Sequence, residues 1–261
     1  MIKTRIVVGA SGSAGSIEAV RWAAAEARLR EADLRVVVAY HRKLPGGPGD
    51  PQTAEIVHDA VAAARAAAPE AEVRGVALPG YAVPVLMHAA EAAALLVVGD
   101  HRGGGLPGLP LGSVGAQVAT QARCSVVVVR GRPGCDTGPV VVGVDDGAAA
   151  EAIIGRAFEE ASLHGTEVLA VTAGRNGRGA APSALGADLD NGLGPWREKY
   201  PAVPARRAYV DGRPDKVMVQ SCEEAQLAVV GPRRHGYQGV LLGAIGTRLL
   251  RRAACPVLIA R

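Results

Sequence analysis

The stretch RIVVGASGS, Arg5 to Ser13, is answered by PVVVGVDDG, Pro139 to Gly147, and from there the chain repeats its own order of features. LRVVVAY (Leu34 to Tyr40) finds its match in TEVLAVT (Thr166 to Thr172), and LLVVGDHR (Leu95 to Arg102) in LAVVGPRR (Leu227 to Arg234). Each copy closes alike, with CSVVVVR (Cys124 to Arg130) and CPVLIAR (Cys255 to Arg261). The offset stays at about 132 residues throughout, which marks a tandem duplication. A chain of 261 residues gives each copy enough length to bury a core of its own. The expected domains are residues 1–131 and 138–261, joined by the Pro/Gly-rich GRPGCDTG, Gly131 to Gly138.

Within each copy, short Val/Ile/Leu runs alternate with helical patterns. Strands that are apolar at every position belong in a parallel sheet covered on both faces. After the first strand, Ile17, Val20, Ala24 and Ala27 recur at helical spacing among Glu18, Arg21, Arg28 and Arg30. The second copy answers with Ile153, Ile154, Ala157, Phe158 and Ala161. The run AVAAARAAAP reads as a helix against the sheet, with alanine chosen for propensity and close packing. LPGGPGDPQ (Leu44 to Gln52) and the stretch Ala173 to Pro195 read as loops or lids after the second strand of each copy. Each half is thus β-α-β-α-β-α-β-α-β, and the fold class is α/β: two tandem doubly wound parallel five-stranded sheets, Rossmann-like in construction. A ligand belongs beyond the carboxyl ends of such strands, at the topological switch point. The loops there are Gly9 to Ser13, Ala39 to His41 and Gly99 to Ser113, then Gly143 to Gly147, Val171 to Gly174 and Gly231 to Ala244.

Composition removes several classes of function. No apolar run approaches the roughly 18 to 20 residues a bilayer span needs, so no membrane partner is expected. MIKTRIVVGASGS is too short in its apolar part for a signal peptide and enters a Gly-Ser turn, so a soluble, cytoplasmic protein is expected. Cys124, Cys135, Cys222 and Cys255 show neither C-x-x-C nor zinc spacing with histidine, which predicts free thiols and no metal ligands. The net charge of +4 is spread along both halves, and aromatics are only 3%, too few for stacking platforms, so nucleic acid is not an expected partner.

VVGDHRGGGLPGLPLGSVGAQVAT, Val97 to Thr120, carries the chemistry. An apolar strand runs into glycines, which let backbone amides approach a bulky anion. Gly112 and Ser113 then open a helix, whose free N–H groups and dipole favour negative charge. The loop resembles that of the universal stress protein family, whose nucleotide-binding members carry G-x-x-G, nine residues, then G-S or G-T. VVGASGS, VVGVDD, DGRPDKV (Asp211 to Val217), LGSV (Leu111 to Val114) and CPVLIAR add to the likeness, which covers the whole chain in tandem.

The resemblance implies the adenine nucleotide alpha hydrolase-like variety of the fold. It also implies bound ATP, or the related ADP or AMP, with Mg2+ as an optional companion of the phosphates. The residues it marks in the first half are Ala10, Ser11, Gly12, Ala39, Tyr40, Gly99, His101, Arg102, Gly103, Gly112, Ser113 and Val114. A second, weaker site takes Val144, Asp145, Gly231, Arg233, Arg234 and Gly243. Both halves depart from the pattern. Arg102 stands where the first loop has its second glycine, and Ser11 where an acidic residue follows the first strand. In the second half Asp145 keeps the acidic place, yet Arg234 replaces the glycine, the loop is one residue short, and Ala244 replaces the serine. The first half therefore keeps the phosphate end and the second the adenosine end.

The reading is a stress-response sensor or adaptor that meets an unidentified protein partner and is not an enzyme, any ATP hydrolysis being slow and incidental. The family resemblance further implies that the closing strands meet as an intramolecular pseudo-dimer, with a further homodimer open. His41, His101 and His235 read as surface or phosphate-side residues. Two alternatives stand beside it. One is a scaffold of the same fold without nucleotide. The other is an NADP-binding oxidoreductase, suggested by GASGSAG (Gly9 to Gly15) and His41-Arg42-Lys43, although the second copy lacks those glycines.

Overall fold

The computed structural model describes residues 4–40, 51–100, 113–132, 134–144, 150–174, 192–231, 233–234 and 240–261. The chain divides after Arg130 into two compact units. The first runs β1 (Arg5–Ala10), α1 (Ala14–Leu29), β2 (Asp33–Tyr40), α2 (Pro51–Ala67), β3 (Val73–Pro79), α3 (Ala82–Ala89), β4 (Leu95–Gly99), α4 (Ser113–Gln121) and β5 (Ser125–Val129). Its strands lie in the order β3-β2-β1-β4-β5, and every pairing is parallel. The second unit runs β6 (Val140–Gly143), α5 (Ala150–His164), β7 (Val168–Gly174), a helix α6 described over 192–199, β8 (Ala205–Asp211), α7 (Pro214–Ser221) and β9 (Leu227–Val230). Two short strands, β10 (Arg233–Arg234) and β11 (Val240–Leu241), precede α8 (Ala244–Arg252) and β12 (Val257–Ile259). Here the order is β8-β7-β6-β9-β12, again wholly parallel, so the second unit repeats the topology of the first.

Burial explains the apolar runs. Ile6, Val7 and Val8 of β1 and Leu95, Leu96 and Val97 of β4 are fully buried. Being central, these strands have helices on both sides: α1 packs beside α2, and α3 beside α4. Alanines at Ala19, Ala23, Ala24 and Ala27 let α1 lie close to the sheet, with Val20 filling the gap between them. Ile17, expected on the same stripe, is only half-buried.

The expected loops need two corrections. Pro51 and Gln52, read as the end of a loop, begin α2, since proline suits a first helical turn whose N–H groups lack partners anyway. Residues 192–195, read as part of a Gly/Ala-rich loop, are helical, and Leu193 among them is fully buried. One deep apolar contact outweighed the two weak helix formers beside it.

α1 begins at Ser13, whose hydroxyl accepts from the Ser16 amide at 3.2 Å. It ends in a left-handed turn at Glu31, φ 51°, which brings the Ala32 amide to the Ala27 carbonyl at 2.8 Å. Its equivalent after α5 is Gly165, φ 63°, where the Thr166 amide reaches the Ala161 carbonyl at 2.9 Å. An L side chain in that conformation costs on the order of 1 kcal/mol. Replacing the exposed Glu31 by glycine is expected to stabilise the first unit by about 0.5 kcal/mol, after allowing for glycine's larger unfolded-state entropy. Urea unfolding measures this, and a lower midpoint for Glu31→Gly would show that the turn stores no strain.

Candidate functional site

In each unit the topology reverses beside the first strand, so a crevice opens over the carboxyl ends of β1 and β4, and of β6 and β9. Ala10 ends β1 opposite Val38, which places the next β2 residues, Ala39 and Tyr40, beside the turn that follows. On the other flank β4 runs in register with β1 and ends at Gly99. Ala10, Ser11, Gly12, Ala39, Tyr40 and Gly99 are thus brought together at one end of the sheet. Val114 stands half-buried in the first turn of α4. Ser113 opens that helix. His101, Arg102, Gly103, Gly112 and Asp145 lie outside the described residues, as do His41 and His235.

The β1–α1 turn is a closed circuit of serines. The Ser11 amide donates to Ser16 Oγ at 3.2 Å, Ser16 Oγ donates to the Ser13 carbonyl at 2.8 Å, and the Ser11 and Ser13 hydroxyls share a hydrogen bond at 3.1 Å. Gly12 sits between them at φ 77°, a conformation that glycine adopts without strain. Ser11 and Gly12 face solvent, and beside them a concavity of about 520 Å³ runs between α1 and α2. Its walls mix apolar Ile17 and Ile56 with charged Arg21, Glu55 and Asp59.

Gly99 has a different reason to be glycine. A Cβ there would lie 2.2 Å from the Gly15 carbonyl oxygen, so its absence lets the first turn of α1 rest on the end of β4. Gly231, at the same place in the second unit, would drive a Cβ to 2.2 Å from Ile153 Cδ1 of α5. The next residue, Asp100, is anchored too. Its amide donates to the Val129 carbonyl at 2.8 Å and its carboxylate meets Arg130 Nη2 at 3.3 Å, with the Arg130 side chain only 3% exposed. Sequence reasoning missed this pair. Its signal was an arginine at the end of both closing strands.

In the second unit Val144 donates to the Val171 carbonyl at 3.0 Å and stays half-buried. Gly243 caps α8 with no side chain to contribute, where α4 opens on a serine. Arg233 and Arg234 form β10. DGRPDKV, carried as a family-like motif, has a local explanation. Gly212 turns the chain after β8, Pro214 occupies the first turn of α7, and Asp215 receives two bonds of 3.1 Å from Arg213 and one of 3.0 Å from Arg248 of α8. Arg213 first, and Arg248 after it, hold the Asp215 carboxyl below the usual carboxylate range.

The universal stress protein family profile matches residues 3–130 and again residues 137–261. The chain belongs to that family. Among its relatives is universal stress protein Rv2623 of Mycobacterium tuberculosis, 35% identical over 286 residues, which cover 98% of this chain and 96% of the relative. Another, Rv2005c of the same organism, is 31% identical over 284 residues, with 98% and 96% covered. A crystal structure of a universal stress protein from Archaeoglobus fulgidus superposes with a TM-score of 0.78 over 100% of this chain and 99% of that one, at 16% identity, and so shares the fold. Among the described residues of this universal stress protein, no helix is long and apolar enough to cross a membrane.

Because Gly99 is required by the helix beneath it, Gly99→Ala should destabilise the nucleotide-free protein by about 3 kcal/mol or more, as overpacking against backbone does. Denaturant unfolding without added nucleotide reads this directly. Unchanged stability would return Gly99 to the role of a ligand-approach residue.

Proposed function

We propose that this universal stress protein binds one adenine nucleotide per chain, in its first half, and serves as a stress-response sensor or adaptor whose occupancy alters which protein it meets. The observation that carries the reading is the concavity at the Ser11–Gly12 turn. Its volume falls within the ~300–1,000 Å³ of small-molecule sites. It runs between α1 and α2 and reaches the switch-point end of the sheet at Ser11 and Gly12, near where the resemblance puts the adenosine, and α4 opens on Ser113 in the stretch where it puts the phosphates. The second half offers Gly243 and Ala244 at the matching helix start, with no hydroxyl. The role is binding rather than catalysis, and ATP hydrolysis is incidental.

Gly99 favours a second reading, the scaffold without nucleotide, because the glycine that the family uses near phosphate is accounted for here by packing. Calorimetric titration with ATP separates the two. The nucleotide reading expects a stoichiometry of roughly one, weakened by about 1.5–3 kcal/mol in Ser113→Ala, the worth of a hydrogen bond to a charged phosphate. Gly112→Val should weaken it further. Binding that survives Gly112→Val but is lost in Asp145→Ala would move the site to the second half, and no heat with any adenine nucleotide would establish the scaffold.

A further inference from the structure

The segment joining the two halves is fastened to the second unit. Arg132 donates its amide to the Ala254 carbonyl at 3.0 Å, and the Gly138 carbonyl accepts from Thr166 Oγ1 at 2.8 Å and from Gln226 Nε2 at 2.6 Å. Between these points the Cys135 thiol donates to the Ala225 carbonyl at 3.0 Å. Ala225 leads into β9, and β9 pairs with β12 so that Ala228 lies opposite Val257 and donates to the Pro256 carbonyl at 2.9 Å. Continued back, that register sets Cys255 opposite Gln226, one residue from the carbonyl on which Cys135 rests. Adjacent strands lie about 5 Å apart, so Cys255 sits one strand over from the segment leading into β9 that Cys135 touches, near enough for the two sulfurs to sense each other's charge. Cys255 is fully buried and Cys135 half-exposed, so only one of the two meets solvent oxidants.

We propose that Cys135 and Cys255 form a reversible thiol pair that hydrogen peroxide oxidises to a disulfide, locking the linker of residues 131–138 onto the second unit. Peroxide first takes the half-exposed Cys135: its thiolate attacks one peroxide oxygen, the O–O bond breaks, and the products are a sulfenic acid and water. The Cys255 sulfur then attacks the Cys135 sulfur, the S–O bond breaks, and a second water leaves. Two thiols thus lose two electrons and two protons to one peroxide. Burial pushes the Cys135 thiol up, the Arg132 guanidinium at 3.5 Å opposes that rise, and the neighbouring Cys255 adds to it. The thiolate is therefore scarce at neutral pH, and oxidation speeds up as pH rises.

The test uses the full chain, reduced, treated with hydrogen peroxide, alkylated and examined by intact mass and peptide mapping. The expected result is a loss of two hydrogens per chain, one cross-linked peptide joining Cys135 to Cys255, reversal by a phosphine reductant, and slower proteolysis of the linker. Cys124→Ser should leave the bond intact and Cys135→Ser abolish it. Cys255→Ser carries the risk of misfolding at a buried site, so Cys135→Ser, at the half-exposed thiol, is the deciding variant. Alkylation of both thiols after peroxide, Cys135 recovered as sulfinic acid, or a linker cut equally fast in both states overturns the proposal.

Discussion

Because every strand of each five-stranded sheet is parallel to its neighbours, each connection between them must cross back over the sheet, and the strand-to-helix turns gather at one end. Those turns also have to let the helices settle onto a sheet that is buried on both faces. Small residues meet that demand. Gly99 admits the first turn of α1, and Gly231 admits Ile153 of α5. Within the sheet the same logic sets Gly9 under Leu86 of α3 and Gly143 under Met218 of α7, where added Cβ atoms would stand at 3.0 and 3.1 Å. The end of the sheet that a ligand would use is therefore built first by packing, and only the residues that packing leaves free can be spent on recognition.

Charge is handled in the same paired manner. Glu26 in α1 is 1% exposed and is held by Arg30 one turn on, at 2.6 Å. Glu160 in α5 is as deeply buried and is held by Arg156 one turn back, at 2.8 Å. A buried carboxylate without its partner costs about 3–5 kcal/mol, so each arginine is structural rather than decorative. Asp100 and Arg130 make a third buried pair at the carboxyl ends of β4 and β5. In the sequence of the second half, proline, Pro232, takes the place of the aspartate.

Strands and topology could be read from the amino acids because runs such as VVVV at Val126–Val129 leave no polar face, and a duplicated order leaves few arrangements open. The family could be read because its motifs occur twice in sequence. Other features were hidden for physical reasons. Glu26 and Glu160 sit on stripes that otherwise look amphipathic, and nothing local shows that the polar side of a helix is covered. Leu193 alone buries a turn whose neighbours are glycine and proline, so the helix there depends on tertiary contact. The concavity beside Ser11 is made by α2, far away in sequence, and Gly99 looked like a ligand glycine because spacing cannot tell a phosphate from the backbone of α1.

A duplicated chain contains its own comparison. Positions alike in both halves, such as Gly99 with Gly231 and Gly9 with Gly143, have packing reasons within one unit. Among the positions that differ in sequence are Ser11 against Asp145, Ser113 against Ala244 and Asp100 against Pro232. In sequence the first half keeps a serine at a helix start, Ser113, and the second keeps a carboxylate after its first strand, Asp145.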